Sequence, residues 1–598
     1  MASPLASPAL NRRQLIQSLA GSIGLIDPAA AMRRPGKAPL QQAAKASAQP
    51  ELAIPPGPVR WLQKATFGFH QGDYVAFYSL PGATDDTRWQ SWVTRQLDPA
   101  AIDDSSCDTR LASAGFTTLG KTLQQLWSQH RSVTTNYSLR MQPIAETECA
   151  TTIRAIYSQR QLFEVMADFW HDHFSTFGWD YDAGPLFVHY DRDVIRPHVF
   201  GNFRTLLEAV ARSTTMMYYL DLYASTVAGP NENYARELIE LHTLGAENYA
   251  GVMDPTDPSL PVGVIGDGLT ARLKYVDEDV YEATRALTGW TIRNGHWQFP
   301  ADNDGTFVFR DSADWHDRFT KYVLNRRFAP DQGQQDGYKL FDLLAAHPGT
   351  ATFIARKLCR RFIGDDPPAS LISSIAQLFQ STAQAPDQLK QVTQAILLSN
   401  EFKSTWGTKV KRPYNALVGA LRGTLAEFTP TLATYGTDWS TKDEINSRVQ
   451  QAGQRKFYWP APNGYPDRAA AWSSSGSLAM TWKMLARLTE IHQQVGYDSN
   501  RPYVIDILGR TNAAIPAGGR TATAIVNYWC DLILGFRPEP VYTKAIDFLR
   551  QNAGPNEVLT LNEAWAGGST PNLKNHYTQS RLRSTIALIL CSPDNLRR

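Results

Sequence analysis

Four histidines and three carboxylates are the residues best equipped for chemistry: His171, His173, His198 and His242, with Glu232, Glu237 and Asp317. Imidazole and carboxylate together suit zinc, iron, manganese or copper, so a divalent transition metal is the expected cofactor. The four histidines are the expected ligands, with His316, Asp317 or the Glu237/Glu240 flank completing the shell. Spacing is the obstacle, because no H-E-x-x-H occurs. His171 and His173 lie about 200° apart on a continuous helix, and Glu237 and His242 about 140° apart. The competing expectation is that each histidine donates to a backbone carbonyl or a carboxylate inside a helical core. Glu237, Glu232 and Asp317 are the candidate catalytic carboxylates. Two carboxylates on one flank can share acid and base roles when burial separates their pKa values. The alternative for that flank is an ion-pair network, with Arg236 on Glu232 or Glu240, and Glu237 on Arg204, Arg212 or Arg285.

These residues need elements to hold them. Gly229 to Gly245, GPNENYARELIELHTLG, carries a helix start at Asn231 and a stop at Gly245. Within it Tyr234, Leu238 and Leu241 form an apolar stripe, with His242 toward that stripe. Asn233, Glu237 and Glu240 share another flank. The longest helix candidate runs from Thr151 to Phe177, with Leu162, Met166, Phe169, Trp170 and His173 on one stripe. Trp290–Arg293, Asn294-Gly295 and His296–Phe299 read as a β-hairpin with a two-residue turn, and Phe307–Phe309 as a third strand. Helical periodicity returns from residue 338 onward, interrupted by an aromatic, proline-rich loop at 453–472. The expected fold is mainly α, a large multi-helix assembly with a small antiparallel hairpin or meander near 290–310.

The chain has 598 residues, 43% of them hydrophobic, enough for a large core. A net charge of +2 gives no reason to expect a nucleic-acid partner. No stretch offers the roughly 20 apolar residues of a transmembrane helix. Asn11-Arg12-Arg13-Gln14-Leu15-Ile16 before an apolar run and Ala29-Ala30-Ala31 reads as a twin-arginine export signal. The expected organisation is a leader at 1–31, a linker at 32–56, a helical core region at 57–427 and a C-terminal helical region at 428–598. Cys107 and Cys149 are able to pair in an oxidising compartment, a point sequence alone leaves open. Neither a G-x-S-x-G elbow nor a phosphate-binding glycine loop is present.

RWLQKATFG, FWHDHF, RPHVFGNFRTLLEAVAR, PNENYARELIELHTLG, DVYEATRALTGW, SNEF, KVKRPYNALVGALR and CSPDNL occur in this order. Together they resemble the bacterial family called domain of unknown function eighteen hundred, over residues about 57 to 598. The resemblance implies export and a neighbouring second exported family as a partner, but no activity. This chain departs from the family pattern at Ser213-Thr214-Thr215-Met216, at Pro460-Ala461-Pro462 and at Gly464-Tyr465. The expected function is an exported enzyme, periplasmic or extracellular, acting on a polymer such as a glycan by metal-assisted hydrolysis or oxidation. Its site is expected between the central helix, the His171–His173 segment and the aromatic loop. The alternative is a non-catalytic binding or assembly protein of the envelope.

Overall fold

Helix periodicity translates into helices along most of the chain. The computed structural model describes residues 52–428, 430, 441–490, 503–551, 553–561 and 577–598. The expected leader at 1–31 and the linker up to residue 51 lie outside the described residues. Leu52 to Arg598 form one unit, mainly α, with only short two-stranded antiparallel sheets among the described residues. No helix among the described residues is long and apolar enough to cross a membrane. No disulfide joins Cys107 to Cys149, and both are buried.

Two elements differ from their expected form. The helix expected over 151–177 is two helices, Tyr137–Tyr157 and Gln161–His173. Asp104 stops the first: its carboxylate accepts from Ser158 Oγ and from Gln159 N, both at 2.7 Å, and so turns the chain. The second, the histidine helix, ends at His173. The expected hairpin is also different. Trp290–Asn294 pairs with Asn303–Phe309, so Phe307–Phe309 is the second strand and His296–Phe299 lies in the connecting loop. Gly295 does adopt a positive φ of 74°, but its amide donates to the Asp302 carbonyl at 2.7 Å and opens a longer loop. Trp290, fully buried against Phe307, Tyr338 and Phe341, fixes that register.

Three elements frame the space described below. The histidine helix buries Leu162, Met166, Trp170 and His173. The basic helix, Pro348–Phe362, starts at His347, whose ring accepts from Gly349 N, and has Pro348 in its first turn. Its apolar stripe is Ala351, Ile354, Ala355, Leu358 and Phe362. The aromatic loop lies over the end of the histidine helix. Gly464 (φ +70°) makes that approach possible, since a Cβ there would stand 2.0 Å from the Asp172 carbonyl oxygen. Further anchors are Gly178 N on the Phe457 carbonyl (2.8 Å) and Arg455 bidentate on Glu148 (2.8 and 3.0 Å). The chain terminus locks beneath the loop through Lys411 N to the Leu596 carbonyl and Lys409 N to the Arg598 carbonyl.

Candidate active site

The histidine that ends its helix is also the one that meets a cavity. His173, 1% exposed, uses both ring nitrogens. Its Nε2–H donates to the carbonyl oxygen of His242 at 3.1 Å, which leaves Nδ1 to accept from Lys357 Nζ at 2.9 Å. Those two bonds fix the tautomer. Burial, with the Lys357 and His242 charges adding to it, holds His173 well below the ordinary histidine range, so it is neutral. Lys357 stands over the Phe353 ring and is lowered to about 8 by desolvation, a drop that Arg360 reinforces and Asp172, Asp467 and Glu247 oppose.

The cavity holds about 240 Å³ and lies under the aromatic loop. The histidine helix supplies Asp172 and His173, the basic helix Lys357, Arg360 and Arg361, and the loop Asn463, Tyr465 and Asp467. Arg412 enters from the start of Pro413–Gly423 and is held by Asp168 at 2.9 Å and by Asp172. Lys456 donates to the other oxygen of Asp168 at 2.5 Å. Burial pushes Asp168 up, but Lys456 and Arg412 outweigh it and keep the carboxyl well below its usual range. Larger hollows exist. One of them, about 800 Å³, is lined in part by paired charges, Arg204 with Asp342 and Arg326 with Asp267. The smaller cavity has the convergent, perturbed groups that mark a site.

The other expected residues do not meet there. His171 donates from Nε2 to Asp191 at 2.9 Å, and Asp191 is held in turn by Arg196. His198 donates from Nδ1 to the Val194 carbonyl at 2.7 Å. Three of the four rings are therefore bonded as the helical-core alternative expected. His242 is the exception: it is fully buried, its two ring nitrogens have no hydrogen-bond partner among the described residues, and its ring packs on Phe174 and near Tyr234. Among the described residues, no three His, Cys, Asp or Glu side chains converge as a metal shell. The donor set at the cavity, cationic and with both His173 nitrogens engaged, does not fit a divalent cation.

The signature helix splits its functions as its faces imply. Asn231 caps it through Asn233 N, and Gly245 closes it at φ +87°. Its second half, Leu238–Thr243, is a π-helical turn, with Leu244 N on the Ile239 carbonyl at 2.8 Å. Glu237 is raised to about 7 by burial and by neighbouring Glu240. The expected arginine partners of Glu237 are committed elsewhere: Arg204 and Arg212 to Glu208, Arg285 to Asp317 and Glu282. Arg236 bonds Glu232 as expected and also Asp277, each at 3.3 Å. Glu232 is exposed on that flank. Asp317, paired with Arg285 at 2.8 Å and capping Phe319 N, holds the turn after the 290–309 hairpin.

Lys357 and Arg361 were not among the expected site residues. Arg361 falls on the apolar stripe of its own helix, three residues past Leu358 and seven past Ile354. A cation on a core-facing stripe is the signal that would have found it.

No match was found among curated proteins or among solved structures. A family model described as "Protein of unknown function (DUF1800)" matches residues 60–597, nearly the whole chain and every element of this cavity. The chain belongs to the DUF1800 family.

Proposed function

We propose that this chain is an exported enzyme performing proton-transfer chemistry on an envelope or extracellular polymer, such as a glycan, in the cavity under the aromatic loop. The observation that carries the reading is the 2.9 Å bond between Lys357 Nζ and His173 Nδ1 at the cavity wall. A lysine poised near 8 is partly neutral at physiological pH and is able to take a proton from substrate and return it. His173, fixed by the His242 carbonyl, orients that amine as an acceptor. The loop over the cavity is stiffened by its own rings: Tyr465, which lines the cavity, packs 5.0 Å from Trp459 and 6.3 Å from buried Trp472. Support for export is the Asn11–Ile16 segment with its paired arginines. Since the cavity does not fit a divalent cation, no step is routed through a metal.

The test is turnover of envelope and extracellular glycans by the purified mature protein, read by chromatography and mass spectrometry across pH. We expect a rate that rises with pH around 8, and a loss of roughly 10²–10⁴ in Lys357→Met. Full activity in Lys357→Met would remove this reading, as would absence of product from every polymer class.

A second reading, assembly with a co-exported partner, is favoured by one surface. The hairpin Val262–Val264/Thr270–Arg272 exposes Val262, Val264 and Leu269. Co-purification with the neighbouring exported family, abolished by Val264→Lys, would support it.

A further inference from the structure

The charges lining the cavity do not balance. Lys357, Arg360, Arg361 and Arg412 face two carboxylates, Asp172 and Asp467. Asp172 is committed to Arg412, and Asp467 to Lys409 at 3.0 Å. Lys357 is bonded to neutral His173 and Arg360 to the Asp365 carbonyl. Arg361 has nothing. It is 2% exposed, and its Nε and both terminal nitrogens lack any acceptor among the described residues.

A buried guanidinium is not relieved by losing its proton, because arginine stays charged in proteins. An uncompensated buried charge is strongly unfavourable unless a partner arrives. Its planar fork offers paired N–H donors, the geometry that recognises carboxylate, sulfate or phosphate. Size narrows the choice. A space of about 240 Å³ lies below the ~300–1,000 Å³ of sites for drug-sized ligands. It therefore admits one acidic group with the small unit that carries it, not a length of chain.

We infer that Arg361, with Arg360 and Arg412 beside it, is the floor of an oxyanion site that receives the acidic group of one substrate unit. The inference rests on the functional reading above and gives its substrate class: polymers bearing carboxylate, sulfate or phosphate groups. Lys357 and Arg361 are four residues apart on one helix, hence neighbours on its surface. A group seated on Arg361 therefore brings the adjoining atoms of the unit to the Lys357 amine. The rival compensation is internal. Asp467 Oδ1 is also buried without a donor among the described residues, so a turn of that side chain toward Arg361 would leave no demand for a ligand.

The experiment is calorimetric titration of the mature protein with sodium sulfate, phosphate, glucuronate and glucose, at ionic strength held constant with chloride. We expect saturable binding of the anions and none of glucose. Glucuronate tighter than the inorganic ions identifies a carboxylate-bearing unit, and the reverse order a sulfated or phosphorylated one. Arg361→Met should weaken anion binding about tenfold or more, while its melting temperature without anion does not fall. Asp467→Asn should bind anions more tightly. Binding that is non-saturable, unchanged in Arg361→Met or weakened in Asp467→Asn overturns the inference. Turnover of a neutral polymer without anion binding would overturn the acidic-group claim alone. Anion binding without any turnover would overturn the catalytic reading alone.

Discussion

At the scale of single residues, two neighbouring histidines follow opposite logic. His173 is neutral because it is desolvated, and its two bonds tell each nitrogen what to do. His242 lends its carbonyl to His173 while its own ring is enclosed without a hydrogen-bond partner among the described residues, and burial, aided by the Lys357 charge, lowers it to about 3. An unfolded histidine titrates near 6.5. Between pH 6.5 and 3 the unfolded chain therefore binds a proton at this residue that the native chain refuses. The contribution of His242 to stability is complete above about 6.5 and is lost as pH falls toward 3, with about 2 kcal/mol of it already gone at pH 5. In His242→Phe, denaturant unfolding should lose that part of its pH dependence between 8 and 5. An unchanged slope would mean the ring is solvated in the native protein. His171 and His198 show why identity and spacing were insufficient for site assignment. Each looks like a ligand in sequence, and each proves to be a donor, one to a carboxylate and one to a carbonyl.

At the scale of elements, the cavity depends on a loop seated on a helix end. Gly464 is the position where that seat is tightest. Gly464→Ala places a methyl group against the Asp172 carbonyl at a positive φ, a strain of roughly 1–3 kcal/mol before any displacement. The expected outcome is a lower melting temperature and loss of saturable anion binding, with the helical circular dichroism retained. Retained binding would show that the loop does not form the cavity wall. Most of the elements were legible from periodicity, including the signature helix with its Asn231 start and Gly245 stop. What periodicity could not show was made by side chains distant in sequence. Asp104 breaks the 151–177 helix from 54 residues away, and Trp290 sets a hairpin register that its Asn-Gly pair alone would have placed elsewhere. The π turn at 238–243 was also hidden, because a helical wheel assumes a constant angle. The outcome was nevertheless the expected separation of His242 from the Glu237/Glu240 flank.

At the scale of the whole molecule, buried ion pairs tie the histidine helix to the rest. Asp168 with Arg412 and Lys456, and Asp191 with Arg196 and His171, hold their carboxyls well below the usual range despite burial. A depressed carboxyl contributes stability that is present above its unfolded value, near 3.9, and is lost as pH falls through the native one. Acid unfolding should therefore steepen below pH 4, and Asp168→Asn should be strongly destabilised even at pH 7, since it strands two cations. Equal stability of parent and variant at pH 7 would contradict the network. The mainly α architecture was readable because a mostly helical chain announces its core face by face. The candidate site was only half readable: the FWHDHF segment and the aromatic loop were named, whereas Lys357 bonds a residue 184 positions away. A lysine that transfers protons in this cavity must titrate well below an ordinary one, which competitive amine labelling with mass spectrometry reads at the residue itself. Trace acylation of the native protein between pH 6 and 11 should give the Lys357 peptide a midpoint near 8. A midpoint at the ordinary lysine value, near 10.4, would rule out Lys357 as the proton-transfer group.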